Sequence, residues 1–187
     1  MRYAQDHKAQ TRERILQEAS ARFRRDGIGA TGLQPLMKAL GLTHGGFYAH
    51  FRSKDDLVEH ALRCAADEAN EYTSKAFAQE HALTAFVDLY LSETHRDAPE
   101  KGCPLPTMAA ELGQRGQPSE ITDELLQARL ASLENALPTC EADVNSVVML
   151  STMVGALLLS RSTQDPALSA HILKTARDWL KQHTGDA

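Results

Sequence analysis

Residues 41–57 read GLTHGGFYAHFRSKDDL and bring a hydroxyl, an imidazole, a phenol and an ammonium into one short stretch. Thr43 can offer its hydroxyl to a phosphate, alongside the unpaired N–H groups of a helix start. Gly45 and Gly46 remove side-chain bulk, so the backbone can approach a groove closely. His44 can reach a phosphate or a base edge, and Tyr48 joins a flat face for a thymine methyl to a hydroxyl for a phosphate. Lys54, at the next helix start, falls where a flanking nucleic-acid backbone would pass. This is chemistry for gripping duplex DNA rather than for breaking bonds. The chain has no Gly-rich phosphate loop, GxSxG or HExxH. His44, His50 and His60 fall on separate helical faces, and Asp55-Asp56 suits a helix start. No enzymatic activity, catalytic residue, metal site or cofactor is expected.

A second chemistry belongs to cysteine. In KGCPLPTMAAELG, Cys103 precedes Pro104, which fits a first helical position and makes Cys103 the expected cap. A thiol at a positive helix end, with Lys101 nearby, is activated as a nucleophile. Cys140, after Thr139 at another helix start, is the second sensor candidate, and Cys64 reads as core. A small buried residue packing a helix start is the competing reading of Cys103. Three cysteines without a close pair argue against disulfides or zinc and fit a reducing cytoplasm. The opening MRYAQDHKAQTRER has no apolar core, so no leader is expected.

The elements that position these groups all read as helices. Alternating apolar runs and Asn-Gly hairpins are missing. Ile15, Ala19 and Phe23, with Leu16 beside them, form one stripe of a helix over 8–26, which Gly27 ends. Thr31, with Gln34 as reciprocal partner, is expected to cap a helix running to Leu40. Gly41 turns the chain into a second short helix, about 43–49, capped by Thr43, and Ser53 caps the fourth helix of the chain. Pro35 is expected to shorten the bonding of the first short helix. Longer helices are expected over 54–78, 82–95, 104–113, 119–137, 141–162 and 167–183, with prolines at their boundaries. The apolar run Val144–Leu159 is broken by Asn145, Ser146, Ser151 and Thr152, so it reads as buried, too short and polar to span a membrane.

Two short helices joined by LGLT form a helix-turn-helix, locked by Leu36, Leu40, Leu42 and Phe47. Charge divides the chain at the same place. Residues 1–54 hold ten Lys/Arg against four Asp/Glu, and residues 55–187 hold ten against twenty-one. A basic head on an acidic body suits a head that meets a polyanion. The expected organisation is all-α: a DNA-binding three-helix domain over 1–54 and a helical ligand-sensing and dimerisation domain over 55–187. The alternative is a helical protein-interaction module without specific DNA binding.

The stretch from Thr11 to Leu62, with Thr11-Arg12, Ile15-Leu16, Ala19, Phe23, Gly27, Thr31, Gly41, Gly45, Tyr48, Phe51, Lys54 and Leu57 as landmarks, resembles the DNA-binding domain of the TetR/AcrR family of bacterial regulators. The resemblance implies a cytoplasmic homodimer that binds double-stranded operator DNA and releases it on meeting an inducer. It places phosphate contacts on Thr43, Tyr48 and Lys54, and groove contacts on Gln34, His44, Gly45, Gly46, Phe47 and Tyr48. His44 and Gly46 stand where the family often has Lys and Ser, which alters the operator rather than the mode of binding. It also implies pairing of the last two helices, residues 141–183, with their dimer mates; Gly155-Ala156 allows close helix approach. The inducer is expected to be an electrophile or oxidant at Cys103, or a small molecule in a cavity lined by Phe77, Phe86, Tyr90, Met108, Met149 and Met153. Those six are equally readable as ordinary core.

Overall fold

The computed structural model describes residues 2–138 and 141–183, with the side chains of residues 2–5 outside that description. Helix α1 (Arg2–Asp26) starts before the apolar stripe does, and buries Ile15, Leu16, Ala19 and Phe23 as their spacing predicts. Gly27, at φ +90°, turns the chain, its N–H closing on the Phe23 carbonyl at 3.2 Å. Helix α2 (Leu33–Ala39) ends before Gly41, at φ +71°. A single 3-10 turn (Gly45–Ala49) stands where the second helix of the motif was expected, since two adjacent glycines disfavour a longer α-helix. Helix α3 (Lys54–Phe77) follows. Ser53 Oγ accepts the Asp56 N–H at 3.1 Å, and the Asp56 carboxylate accepts the Arg52 N–H at 2.8 Å. Leu57, Ala61 and Leu62 of α3 are fully buried, and the helix packs along α1 before continuing into the body. Residue 54 is therefore the first residue of a helix that serves both halves.

Two expectations about α2 are corrected. Thr31 does not cap it: its hydroxyl donates to the Gly27 carbonyl at 2.8 Å, so the left-handed turn consumes it. The helix opens after Gly32 without a side-chain cap. Pro35 is the third helical residue, where an N–H would be unpaired in any case, so it shortens nothing.

The body comprises α4 (Ala82–Tyr90), α5 (Glu93–Asp97), a 3-10 turn (Pro99–Lys101), a π turn (Leu105–Ala109) running into α6 (Ala110–Gln114), α7 (Glu120–Ala136), α8 (Ala142–Ser162) and α9 (Pro166–His183). The single helix expected over 82–95 is two, because Ser92 Oγ accepts the His95 N–H at 3.0 Å and restarts the helix there. Helix α8 packs between α7 and α9. With 21 residues the whole helix is, by length and composition only, long and apolar enough to cross a membrane, a test that core helices also pass. No strand occurs among the described residues.

Head and body meet along residues 102–115. The trans peptide joining Gly102 to Cys103 is held on both sides. Its carbonyl accepts Arg24 Nη1 of α1 at 3.2 Å, and its N–H donates to His95 Nε2 at 3.1 Å. Arg24 is buried and also donates to Glu68 of α3 at 2.6 Å. A side chain at residue 102 would meet His95 Nε2 at 2.6 Å, so only glycine fits. Further along, Glu111 accepts the N–H groups of Ile28 at 2.6 Å and Gly29 at 2.7 Å, and pairs with Arg115. Burial pushes the Glu111 carboxyl up, but those amides and the Arg115 guanidinium outweigh it and hold the carboxyl below its usual range.

A folded-state pKa below the unfolded value stabilises the fold above the usual carboxylate range, and that contribution is lost as pH falls through the lowered native value. Glu111→Gln is expected to cost about 1–2 kcal/mol at pH 7, since a charge-assisted acceptor becomes a neutral one. Urea unfolding from pH 7 down to pH 3 should show the gap to wild type shrinking with acid. A gap that stays constant would mean that the Glu111 charge contributes nothing.

Candidate DNA-binding surface and effector cavity

Thr43 Oγ1 accepts the Gly46 N–H at 3.2 Å and so caps the 3-10 turn from two residues before its start. The turn presents one face outward. Gln34, Thr43, His44, Gly45 and Tyr48 are exposed, and Gly46 is half-buried. Tyr48, 60% exposed, stands with its ring edge-on to Phe47 at 5.2 Å and to His44 at 6.0 Å. Phe47 is 0% exposed and stacks on Phe51 at 5.7 Å. Its side chain therefore cannot enter a groove: it belongs to the core and steadies Tyr48 from beneath. Arg12 lies over the outer Phe51 ring, 4.8 Å from its centroid. The half-buried His50 imidazole is held below its ordinary pKa by desolvation first, and then by Lys8 and Arg12. Cations thus gather beside the turn, as the charge division of the sequence requires.

Lys54 is half-buried and donates from Nζ to the Ile28 carbonyl at 2.6 Å. Burial lowers its pKa, and the neighbouring Arg115 lowers it further. Whatever it offers to DNA, it also ties the start of α3 to the turn after α1. The groups brought together at the turn are Thr43, His44, Gly45, Gly46 and Tyr48; Gln34 is exposed on α2.

The second arrangement lies in the body, between α3, α4 and α7. A cavity of about 40 Å³ is walled by Phe86, Leu89 and Tyr90 of α4, Tyr72 of α3, Cys103 and Arg129. Of the six residues expected to line a pocket, it gathers Phe86 and Tyr90. Phe77 packs on the Phe86 ring at 4.9 Å and faces a separate surface groove. Met108 of the π turn and Met149 and Met153 of α8 are buried in the core and take no part in the wall.

Cys103 is buried in that wall, but not as a helix cap. The cap position is Pro104, whose carbonyl accepts Met108 and Ala109 N–H at 2.8 and 3.2 Å, while the Cys103 N–H is spent on His95. Burial depresses the His95 pKa to about 4 despite a bond to the Tyr90 carbonyl, so the ring is neutral. Its Nδ1–H donates to Tyr90 O at 2.7 Å, which leaves Nε2 to accept from Cys103. Cys140 lies outside the described residues. Cys64 is raised to about 11, by burial first and then by Glu68, and is a poor nucleophile.

Residue patterns overlooked four functional groups: Arg24, His95, Glu111 and Arg129. Only Arg129 carried a readable signal. Ile121, Leu125, Arg129 and Leu133 recur every four residues on one buried face of α7, so a cation occupies a core position.

The packing makes neighbouring aromatics behave oppositely. Phe47→Ala is expected to cost about 3–4 kcal/mol of stability, as for a fully buried ring. Tyr48→Ala should cost less than about 1 kcal/mol. Chemical unfolding of both variants checks this; equal losses would refute the outward placement of Tyr48.

Residues 15–61 match the family model of bacterial regulatory proteins, tetR family. Over 174 residues the chain is 26% identical to the uncharacterized HTH-type transcriptional regulator YxaF of Bacillus subtilis (strain 168), covering 83% of this chain and 87% of that protein. Its fold is similar to that of a TetR transcriptional regulator from Legionella pneumophila, with a TM-score of 0.77 at 20% identity over 93% of this chain and 97% of the other. The reduced form of E. coli NemR is similar in fold, with a TM-score of 0.75 at 19% identity over 95% of this chain and 100% of that one.

Proposed function

We propose that this chain, which belongs to the TetR family and is a DNA-binding transcriptional regulator rather than an enzyme, acts in the cytoplasm as a homodimeric repressor released by an inducer at the α3–α4–α7 cavity. The observation that carries the reading is the Gly102–Cys103 peptide. Its Cys103 end walls the cavity, while its carbonyl and the Glu111 carboxylate hold the DNA-binding head. A peptide unit is planar, so displacing Cys103 turns both of its hydrogen bonds together. Loss of the Arg24 and Glu111 contacts frees the head to rotate. Two recognition turns must sit one DNA turn apart, about 34–36 Å, and a rotated head no longer matches that spacing.

Dimerisation is supported by the unpartnered face of α8 and α9. Seven of the nine exposed large apolar side chains among the described residues lie on these helices, from Val144 and Val147 to Leu168 and Trp179. A Cβ on Gly155 would meet nothing within 4 Å, which leaves room there for a helix of a second copy, whereas the neighbouring Ala156 is buried in this chain's own core. The reading places Tyr48, Thr43 and Lys54 on phosphates and Gln34, His44, Gly45, Gly46 and the Tyr48 ring in the groove.

Binding to a duplex selected in vitro should fall steeply as salt rises. Tyr48→Ala should weaken it by about 1–3 kcal/mol and reduce the salt slope by about one. Sedimentation should give a dimer at micromolar concentration. An affinity independent of salt and of Tyr48 would favour a protein-interaction module instead.

The same wall supports a thiol reading of the inducer. The Cys103 sulfur can add to the carbon–carbon double bond of an electrophile such as N-ethylmaleimide. A C–S bond forms, and the thiol proton ends on the adjacent carbon. An adduct does not fit a cavity of about 40 Å³ with the wall in place. Operator gel shifts with N-ethylmaleimide should show release of wild type and retention of Cys103→Ser, with Cys140→Ser behaving as wild type. Equal release of Cys103→Ser would make the thiol structural.

A further inference from the structure

Two hydrogen-bond donors in the cavity wall have nothing to donate to. Arg129 of α7 is 3% exposed, and its Nε has no partner. Its Nη2 makes only long contacts, 3.4 Å to the Ala69 carbonyl and 3.3 Å to Asn70 Oδ1. Among the described residues no carboxylate pairs with it. The Phe86 ring, 5.4 Å from the guanidinium carbon, is a weak substitute for a counter-ion. A guanidinium taken out of water without an anion is costly, and core arginines ordinarily carry one. Burial lowers the Arg129 pKa, and the groups that act against that are Cys103 and Tyr90.

Tyr90 is the second donor. It is 5% exposed, and its hydroxyl lacks a hydrogen-bond partner. Burial first, then Cys103, drives its pKa well above the ordinary value, so it remains a neutral O–H. His95 cannot serve either group, because both of its ring nitrogens are engaged with backbone. The site thus offers a fixed positive charge whose Nε is unpaired and whose Nη2 reaches only the Asn70 amide oxygen at long range, and a hydroxyl with only the weakly accepting Cys103 sulfur beside it. The rest of its wall is mostly apolar, with Phe86, Leu89 and the Tyr72 ring, and Thr73 and Lys101 also line it.

We propose that this cavity binds a small organic monocarboxylate, its two oxygens meeting Arg129 and the Tyr90 hydroxyl and its carbon body lying against Phe86, Leu89 and Tyr72. The proposal rests on the reading of the cavity as the effector site and names its ligand class. Planar guanidinium and carboxylate match in geometry, which an alcohol or amide does not reproduce. Sulfate and phosphate fit poorly, since an apolar wall replaces little of their hydration. About 40 Å³ exceeds the space of a single water. Tyr72, 59% exposed, stands at the mouth with Lys101, so a longer body can enter by turning one surface side chain. The carboxylate would settle against Cys103 without reacting with it, and would press on the same peptide that holds the head.

The test uses full-length protein without DNA, followed by calorimetry and thermal shift with matched pairs: benzoate and benzamide, cinnamate and cinnamamide, hexanoate and hexanamide, with sulfate at equal ionic strength. At least one carboxylate should bind saturably and at least tenfold more tightly than its amide, and sulfate should not. Arg129→Met should weaken that carboxylate tenfold or more. Tyr90→Phe, which removes a single hydroxyl and decides the matter if Arg129→Met does not fold, should weaken the carboxylate several-fold and leave the amide unchanged. Absence of binding by every carboxylate, equal binding of an amide, or an unaltered carboxylate affinity in Tyr90→Phe overturns the proposal. Gel shifts on the selected duplex separate it from the reading beneath it. A carboxylate that binds yet leaves operator affinity unchanged keeps the anion site and removes its effector role. Release by N-ethylmaleimide without any carboxylate binding does the reverse.

Discussion

One peptide plane, between Gly102 and Cys103, fixes how the two halves of the molecule sit together. Its carbonyl belongs energetically to the head, through Arg24, and its N–H to the body, through His95. Neither bond can rotate away alone, because resonance keeps the unit planar. The surroundings are arranged to hold that single plane. His95 is kept neutral by burial and fixed in one tautomer by the Tyr90 carbonyl. Gly102 is required, since any side chain would collide with the imidazole. Arg161 of α8 donates to the His95 carbonyl at 2.5 Å and to the Arg96 carbonyl at 3.1 Å, so the longest body helix is tied to the same corner.

Glu111 is the complementary hold. Beyond the left-handed Gly27, the next two amides are not spent on the carbonyls of α1. Ile28 and Gly29 find an acceptor in a carboxylate more than eighty residues away. Lys54 accounts for the Ile28 carbonyl from the other direction. The turn after α1 is thus completed by α3 and α6 rather than by itself. Its geometry therefore depends on where α6 holds Glu111 and α3 holds Lys54. A π turn at Leu105–Ala109 places one loosely wound segment between the cavity wall and this hold.

The sequence made the head legible because its signals are local. Gly27 and Gly41 adopt the positive φ that their places after helices imply, and Ser53 caps α3 through a hydrogen bond within four residues. The all-α class and most helix boundaries follow from the same kind of information. What failed was competition between local partners. Thr31 had two uses and took the Gly27 carbonyl rather than the α2 amides. Cys103 lost the cap to Pro104, whose carbonyl accepts the Met108 and Ala109 N–H groups. The joint itself was unreadable: Arg24 and Glu111 look like ordinary surface charges until the chain is folded. Phe47 illustrates a finer limit, since a resemblance assigns a segment to the groove without saying which of its side chains turn inward.

Buried polar groups without partners are rare in folded proteins because each costs free energy that packing must offset. Five are present among the described residues, and two of them, Tyr90 Oη and Arg129 Nε, belong to residues of the same cavity wall. That coincidence matters for switching. A ligand shifts a two-state equilibrium only by its differential affinity, and a shift from mostly one state to mostly the other takes about 5.5 kcal/mol. Apolar contacts alone, in a cavity of about 40 Å³, supply little of that. A desolvated arginine and a hydroxyl left without acceptors hold such a difference in reserve, because satisfying them is worth far more inside the protein than in water. They also face the peptide that joins head to body. On the proposed reading, an unsatisfied core is a cost in the DNA-competent state and the source of the force that can end it.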